Sequence, residues 1–327
     1  MTTDRRDVDR DLDLLVVGEL NPDVIVSDPD PAPVFGERER IVEAIQLTVG
    51  SSSAIAACGA ARLGLRVGFA GVVGDDAFGR FMLEALAERG IDTTACTVDP
   101  ATPTGATIVL SSGHDRAMLT AIGTIGSLDA AALPAGLTSR ARHIHAGAFF
   151  LQKQARDTMP ALLAAARAGG ATTSFDTNWD PAERWTDVGP MLGAADLFFP
   201  NAEEARRISG RADVEEAARE LARIGAAGRA DGGPLVVVKL GRDGALACRA
   251  TGAVERTSAM PIDAVDTTGA GDSFNAGFLR AWLRGASTAD GLRSGAACGA
   301  LSTRRLGGVD GQPSADELDR ALEAWAP

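Results

Sequence analysis

Residues 266–278, DTTGAGDSFNAGF, place small and turn-forming residues directly before an apolar segment with the pattern of a helix. Gly269, Ala270 and Gly271 have no bulky side chains, so the main-chain amides at the start of this helix can converge with little obstruction. Such a helix start binds anions. The carboxylate of Asp272 could accept a proton from a hydroxyl, while the amides stabilise charge on a transferring phosphoryl group. The spacing is equally consistent with Asp272 acting only as a helix cap.

The chain on either side of this stretch alternates between short apolar runs and alanine-rich segments. Residues 12–18, LDLLVVG, form a continuous apolar run, which is typical of a strand buried on both faces of a parallel sheet. Strand and helix patterns then alternate, which predicts a doubly wound α/β sheet. The predicted helices are 53–63, 78–89, 158–168, 214–224, 273–284, 289–304 and 314–325, and the further predicted strands are 41–49, 67–72, 107–110, 171–176, 195–200 and 235–240.

Two segments interrupt this alternation, at about residues 21–50 and 98–122. The first contains DPDPAP, which is too rich in proline for a helix or a central strand, followed by alternating apolar and polar residues that fit a sheet with one wet face. We expect the two segments to pair as a small β-sheet that forms a lid over one end of the core. The rest of residues 12–327 forms a single core domain, after a disordered charged leader at residues 1–11.

The composition argues against several classes of partner. The chain has 327 residues, 45% hydrophobic and 23% charged, which is enough for a substantial core. Its net charge of -12 opposes binding to nucleic acid or to an anionic membrane surface, and no tyrosine is present to stack on bases. The four cysteines include no CxxC pair, and no signal peptide or 18-residue apolar stretch is found. We therefore expect a cytoplasmic protein.

The sequence lacks two common nucleotide-binding motifs. It has no G-x-x-x-x-G-K-[ST] run and no GxGxxG after the first strand. Instead, DTTGAGDSF closely resembles the signature of the ribokinase-like, PfkB-type carbohydrate kinase family, and further motifs occur in family order. These motifs are GELNPD (18–23), RLG (62–64), GVVGDDAFG (71–79), DTN (176–178), PNAEE (200–204) and KLGRDGA (239–245). The resemblance extends from about residue 12 to the last predicted helix.

The resemblance implies a ribokinase-like, three-layer α/β/α sandwich with a mainly parallel sheet and a small β-sheet lid. It also implies an enzyme that transfers the γ-phosphoryl group of ATP to a primary hydroxyl of a sugar, sugar acid or related polyol. Asp272 matches the family's catalytic base, and Gly269, Ala270 and Gly271 match its anion hole. In this chemistry, positioning and electrostatic stabilisation do most of the catalysis.

The resemblance also assigns residues to the nucleotide and its cations. The residues matched to the ATP site are Asn201, Lys239, Gly241, Gly244 and Thr268. Glu204 matches a position that binds Mg²⁺ through water, and Asp266 one that helps to hold a monovalent cation such as K⁺ in many relatives. Local chemistry alone explains part of this pattern, because Asn201 and Glu204 suit the start of a helix and the two glycines suit an ordinary hairpin turn.

The acceptor site is expected at the carboxyl ends of the parallel strands and under the lid. The residues assigned to it are Asn21, Asp23, Gly50, Ser51, Arg116, Asp176 and Asn178. Arg116 suits a hydroxyl, carboxylate or phosphate of the substrate, although a solvated turn arginine explains it equally well. Many relatives have an asparagine where this chain has VGSSSAI at 49–55, and its absence leaves the identity of the sugar open.

Three alternatives remain open at this point. A nucleoside kinase of the same fold is the nearest, and a ligand-binding homologue without catalysis is the second. A dehydrogenase of Rossmann type is disfavoured because the glycine fingerprint is absent. His143 and His145 share a strand face but lack a third metal ligand, so we interpret them as strand histidines. The resemblance also implies a homodimer, since members of the family often pair through their lid sheets, and the apolar residues of 41–49 could face such a partner or the substrate.

Overall fold

The computed structural model describes residues 10–112 and 116–325 of the chain. In these ranges the strands are β1 (Leu12–Val17), β2 (Pro22–Ser27), β3 (Ala44–Val49), β4 (Val67–Ala70), β5 (Val72–Gly74), β6 (Thr97–Asp99), β7 (Ala106–Ser111), β8 (Arg116–Ala121), β9 (Ala141–Ala146), β10 (Thr172–Phe175), β11 (Leu197–Phe198), β12 (Leu235–Lys239), β13 (Ala245–Cys248) and β14 (Glu255–Thr257). The α-helices are α1 (Ser52–Arg62), α2 (Ala77–Ala87), α3 (Met159–Ala168), α4 (Gly189–Ala194), α5 (Ala202–Ser209), α6 (Val214–Ala226), α7 (Ala270–Leu283), α8 (Thr288–Ser302) and α9 (Ala315–Ala324).

Eight of these strands form the central sheet, in the order β14-β13-β12-β11-β10-β9-β1-β4. The strands from β12 to β4 run parallel, and β13 and β14 extend the sheet as an antiparallel edge. Helices α3 to α6 pack on one face, and α1, α2, α7, α8 and α9 pack on the other. The predicted three-layer α/β/α sandwich is confirmed.

Strand β1 shows why its sequence is apolar at successive positions. Leu15 and Val17 belong to the core on one side of the sheet, whereas Leu14 and Val16 belong to the core on the other. All four side chains are buried. A strand covered on both faces needs apolar residues at every position, because successive side chains point to opposite faces.

The lid is a separate four-stranded sheet in the order β3-β2-β7-β8. Strands β2 and β7 are parallel, and the outer pairs are antiparallel. Asp23 is aligned with Thr48 and Thr107 in one row across the sheet, and these three residues are buried against the core. Each of the two predicted lid segments contributes two strands to this sheet, one more than was predicted for it.

Several boundaries differ from the prediction; the predicted strands 41–49 and 195–200, for example, are shortened to Ala44–Val49 and Leu197–Phe198. The strand predicted at 67–72 is divided at Gly71, because β5 leaves the central sheet to pair with β6. Helix α7 begins at Ala270, three residues earlier than predicted. Residues 1–9 of the expected leader lie outside the described residues, but Arg10 bonds the carbonyls of Gly169 and Gly170 at 2.8 and 3.2 Å. The folded part therefore includes residues at the end of the predicted leader.

Among the described helices, none combines the length and the apolar character needed to cross a bilayer.

Candidate active site

Helix α7 begins after a glycine in the left-handed conformation. Gly269 has a φ of 70°, and within the described residues no side chain caps this helix. A Cβ at Gly269 would lie 2.9 Å from the Gly308 Cα, so a larger residue would clash as well as strain the backbone. The Ala270 amide makes a long hydrogen bond of 3.3 Å to the Thr267 carbonyl. Asp272 is in the first turn and does not cap it, so its interpretation as a simple helix cap is wrong.

The carboxyl group of Asp272 lies in a charged and partly buried environment. Burial raises the pKa of Asp272 to about 8, and the negative charges of Asp176 and Glu19 act in the same direction. The ammonium group of Lys239 and a hydrogen bond with the Ser52 side chain oppose this increase in pKa. A carboxyl group whose pKa is close to neutral pH is suited to proton transfer.

A buried ion pair lies next to the first turn of α7. Lys239 Nζ is 2.6 Å from Asp176 Oδ2, and Asn275 Nδ2 donates to the same oxygen at 2.8 Å. The two charged side chains are 13% and 3% exposed. Burial alone would raise the pKa of Asp176, but the positive charge of Lys239 holds it below the ordinary value. The aspartate is therefore ionised in the folded protein.

Asn178 connects this ion pair to the start of helix α1. Its main-chain amide donates to Asp176 Oδ1 at 3.1 Å, and its Nδ2 donates to Ser52 Oγ at 2.5 Å. The backbone of Asn178 is left-handed, with a φ of 54°. The Ser52 side chain also hydrogen-bonds Asp272. The ends of β10, α1 and α7 thus meet around one group of polar side chains.

Asn201 and Glu204 form a capping box at the start of α5. The Glu204 amide donates to Asn201 Oδ1 at 2.9 Å, and the Asn201 amide donates to Glu204 Oε2 at 2.8 Å. The interpretation of these two residues as helix-start residues is therefore confirmed. Glu204 is nevertheless buried, and burial together with the charge of Asp176 raises its pKa to about 7.

The charges around this site suit a divalent cation. The carboxyl groups of Asp176, Glu204 and Asp272 all interact with one ammonium group, that of Lys239. Among the described residues, no three His, Cys, Asp or Glu side chains form a cluster that could hold a metal alone. Mg²⁺ commonly takes few protein ligands and keeps several waters, so the residues present fit an ion carried largely by nucleotide phosphates.

The glycine turn after β12 is a hairpin turn, because it joins β12 to the antiparallel strand β13. Residues Gly241–Asp243 form a single turn of 3₁₀-helix, and the Leu240 amide donates to the Gly244 carbonyl at 2.8 Å. Gly244 has a φ of 89°, and a Cβ there would lie 2.0 Å from the Thr257 carbonyl oxygen. Only glycine fits this position. Contact between this turn and ATP stays a prediction.

The expected acceptor residues lie where β1 leads into the lid. Asn21 and Asp23 are buried, and a Cβ at Gly50 would lie 2.2 Å from Asp23 Oδ1, so the missing side chain makes room for this carboxyl. Burial raises the pKa of Asp23 to about 7, whereas the nearby charge of Arg116 lowers it. Ser51 caps α1, because its Oγ accepts from the Ala54 amide at 3.1 Å.

Arg116 connects the lid to the loop before α7. Its Nη1 donates to Thr268 Oγ1 at 2.8 Å. The Thr268 amide and hydroxyl both donate to Asp266 Oδ1, and the Gly307 amide donates to Asp266 Oδ2 at 2.8 Å. The carboxylate of Asp266 thus fixes the shape of the loop that precedes the anion-hole glycines. Arg116, the first residue of β8, joins that loop to the lid.

Comparison with known proteins shows the family of the chain. The model of the pfkB family of carbohydrate kinases matches residues 11–315. The chain belongs to this family. It is 34% identical over 288 residues to a fructokinase of Klebsiella pneumoniae, covering 84% of this chain and 91% of that protein. It is 30% identical over 281 residues to the 2-dehydro-3-deoxygluconokinase of Bacillus subtilis strain 168, covering 82% and 84%.

Solved structures of other kinases share the fold of this carbohydrate kinase. A double mutant of fructokinase from Vibrio cholerae O395, solved with fructose, ADP and a potassium ion, superposes with a TM-score of 0.78 at 25% identity. The match covers 95% of this chain and 98% of that one. The lid and the three-layer core of the kinase are therefore features of a known fold.

Sequence reasoning missed several side chains of this kinase that belong to the polar group around Asp176 and Asp272. Ser52 and Asn275 were not identified, although Asn275 follows Asp272 by three residues and must share its helix face. Glu19 is buried and accepts a hydrogen bond from the Ser53 amide at 3.2 Å, as well as one from the Ser53 hydroxyl. The signal was present as the E of GELNPD and as the serine run at the start of α1.

The two strand histidines of the kinase have ordinary hydrogen-bond partners. His143 bonds Thr172 and Ser174 at 2.7 Å, and His145 bonds Ser174 at 2.8 Å. Burial lowers the pKa of His145 to about 4 and holds the pKa of His143 well below its ordinary value. These contacts agree with the interpretation as strand histidines.

Proposed function

We propose that this kinase transfers the γ-phosphoryl group of ATP to a primary hydroxyl of a sugar or sugar acid, with Asp272 as the base. The observation that carries the proposal is the position of the Asp272 carboxyl. It lies in the first turn of a helix that begins at an uncapped glycine, where main-chain amides and the helix dipole favour negative charge. Lys239 and Ser52 interact with this carboxyl from neighbouring elements.

In the proposed mechanism, Asp272 accepts the proton of the acceptor hydroxyl as its oxygen attacks the γ-phosphorus. The amides of residues 269–271 stabilise the charge on the phosphoryl oxygens. Asn21 and Asp23 bind the other hydroxyls of the acceptor, and the lid sheet excludes water from the site. Glu204 and Asn201 would hold Mg²⁺ through water, and the ion, when bound, neutralises negative charge on the phosphates.

The acceptor class is the open part of this proposal. The two curated relatives are named for a neutral sugar, fructose, and for a keto sugar acid. The positive charge of Arg116 beside Asp23 favours an acceptor that carries a carboxylate, since guanidinium binds carboxylates with two parallel hydrogen bonds. We therefore expect sugar acids among the best acceptors.

A coupled assay for ADP with matched acceptors tests the proposal. Fructose, ribose, 2-dehydro-3-deoxygluconate and adenosine would be compared at equal concentrations with MgATP. We expect turnover with a sugar or sugar acid, and a loss of about 10²- to 10⁴-fold in the Asp272→Asn variant, the range for removal of a general base. Turnover with adenosine alone would instead identify a nucleoside kinase, and unchanged turnover in the variant would exclude Asp272 as the base.

The outer face of the lid sheet suits a second copy of the chain. On this face Leu47, Val24, Ile108 and Leu119 are aligned in one row across all four strands. The neighbouring row is Ile45, Val26, Leu110 and Ala117. Both rows are free of charge in a chain of net charge -12, so two copies can bring these faces together without like-charge repulsion. A homodimer through the lid is therefore part of the proposal.

A monovalent cation such as K⁺ near Asp266 is a further part of the proposal. Asp266 uses both carboxylate oxygens to bind main-chain amides, those of Thr268 and Gly307. The carboxylate therefore orders two loops, and a bound cation would add to this order. The Vibrio cholerae fructokinase, with which the chain shares its fold, was solved with a potassium ion.

A further inference from the structure

The cationic residues of this chain are distributed very unevenly between lysine and arginine. Of the 32 lysines and arginines in the sequence, only Lys153 and Lys239 are lysines. Lys153 is exposed in the loop between β9 and α3, whereas Lys239 is the last residue of β12 and its side chain is 13% exposed. Arginine fills other buried cation positions, such as Arg280 with a side chain 6% exposed, so burial alone does not select lysine at residue 239. The compact ammonium group there indicates a requirement of that site.

The surroundings of Lys239 explain why an ammonium group fits there. Its Nζ is 2.6 Å from Asp176 Oδ2 and 3.4 Å from Asn275 Oδ1. On the side of α7, a Cβ added to Gly271 would lie 3.5 Å from the same nitrogen. The ammonium group therefore packs against the anion-hole turn itself. A planar guanidinium group is larger and would have to displace this turn.

Lys239 also lies among more carboxyl groups than a structural ion pair needs. Asp176 alone would neutralise it, yet Glu204 and Asp272 interact with it as well. These acids come from the ends of β10, α5 and α7, so the ammonium group lies between the expected phosphate region and the base. An ammonium group has three N–H donors, and the bonds to Asp176 and Asn275 engage two of them.

We propose that Lys239 is a catalytic residue of this kinase, whose ammonium group donates a hydrogen bond to an oxygen of the phosphoryl group in transit at the α7 turn. The inference rests on the proposed function. During the step, the acceptor oxygen bonds to the γ-phosphorus and its proton passes to Asp272. The bond from the γ-phosphorus to the bridging oxygen breaks, and that oxygen leaves with its electron pair on ADP. Lys239 keeps its own proton throughout and stabilises the charge on the transferred group.

A kinetic comparison of the two lysines tests this inference. The Lys239→Met variant keeps an unbranched side chain one atom shorter and loses the charge, and Lys153→Met is the matched control. We expect Lys239→Met to lower kcat by about 10²- to 10³-fold, the effect of removing one transition-state donor, while the Kd for ADP changes by less than about three-fold. Lys153→Met should have wild-type kinetics. A Lys239→Met enzyme that folds and retains kcat within about three-fold would overturn the inference.

Because Lys239→Met leaves Asp176 buried without its partner, the variant could fail to fold, and a measurement on the wild-type protein provides a second test. Labelling lysine with ¹⁵N at Nζ gives two side-chain signals, one of which is lost in Lys153→Met. We expect the Lys239 signal to shift more with the nonhydrolysable analogue AMP-PNP than with ADP, and the Lys153 signal to stay unchanged. Equal Lys239 shifts with the two nucleotides would show that the γ-phosphate is not contacted. If wild-type protein phosphorylates no acceptor, the proposed function fails, whereas an active wild type with an unaffected Lys239→Met variant refutes this inference alone.

Discussion

Replacing Asp272 by asparagine should stabilise the folded protein at neutral pH while it removes catalysis. Burial raises the pKa of Asp272 to about 8, far above the ordinary value of 3.8. A carboxyl group whose pKa is higher in the folded state binds a proton preferentially there, so raising the pH between these two values destabilises the fold. The amide of asparagine does not titrate and has no such cost.

The size of the effect follows from the pKa difference. The range from pH 5.0 to 7.5 lies between the pKa values of Asp272 in the unfolded and folded states. Within it, each pH unit changes the free energy of unfolding by about 1.4 kcal/mol. Over this range the wild type should therefore lose up to about 3 kcal/mol of its free energy of unfolding through Asp272, and the Asp272→Asn variant should not. A chain of this length unfolds with an entropy of about 0.7 kcal/mol/K, so the difference corresponds to about 4 °C in Tm.

Thermal unfolding followed by circular dichroism, at pH 5.0 and pH 7.5 without nucleotide, measures this difference directly. Glu19, Asp23 and Glu204 also have raised pKa values and will make both proteins less stable as the pH rises. The comparison between variants cancels these contributions. The exposed Asp263→Asn variant serves as the control and should show the same Tm offset at both pH values. If the Tm gap between Asp272→Asn and wild type is no larger at pH 7.5 than at pH 5.0, the buried-carboxyl reasoning is wrong.

Three further predictions concern the backbone, the lid and the cation. Gly269 and Gly285 have similar left-handed φ values of 70° and 74°, but of the two only Gly269 has close neighbours. Gly285→Ala should therefore lower the free energy of unfolding by about 1 kcal/mol, whereas Gly269→Ala should lower it further and abolish most of the activity. Urea unfolding measures the stability of both variants, and the ADP assay measures their activity. Leu119→Glu on the outer lid face should give a monomer by light scattering at concentrations where wild type and Leu119→Val are dimers; a monomeric wild type would contradict the lid dimer. Replacing K⁺ by tetramethylammonium at constant ionic strength should lower the initial rate several-fold, and equal rates would remove the cation near Asp266 from the proposal.

The architecture was predictable from local patterns because those patterns depend on burial and on local backbone preference. The apolar run of β1 follows from the two-sided core, and the end of α1 follows from the left-handed backbone of Gly64; both were identified correctly. The division of the 67–72 strand was not predictable in this way. An apolar run has the same pattern whether it stays in one sheet or changes sheets, and the break at Gly71 reflects a close approach, in which an added Cβ would lie 2.8 Å from the Gly18 carbonyl oxygen.

The start of α7 was misplaced for a related reason. Glycine has a low helix propensity, so the GAG residues before Asp272 favour a loop, and the periodic apolar pattern becomes visible only from Ser273. In the fold, the first turn packs close to α8, where a Cβ on Gly299 would lie 3.0 Å from the Ala270 carbonyl oxygen. Tertiary packing therefore extends the helix towards the site, and this extension is what brings Asp272 into the first turn.

The contacts of Lys239 depend on strand order, which no local pattern contains. Its partner Asp176 follows β10, and β11 lies between β10 and β12 in the sheet. Two strand spacings amount to about 9.6 Å, a gap that a long lysine side chain and a short aspartate can close together. The assigned strand β11 is only two residues long, but the segment after it stays bonded to both neighbours. The Phe199 amide donates to the Phe175 carbonyl at 3.1 Å, and the Lys239 amide donates to the Pro200 carbonyl at 2.9 Å. A site formed in this way becomes visible only once the sheet is assembled, although each of its residues stands in a recognisable motif.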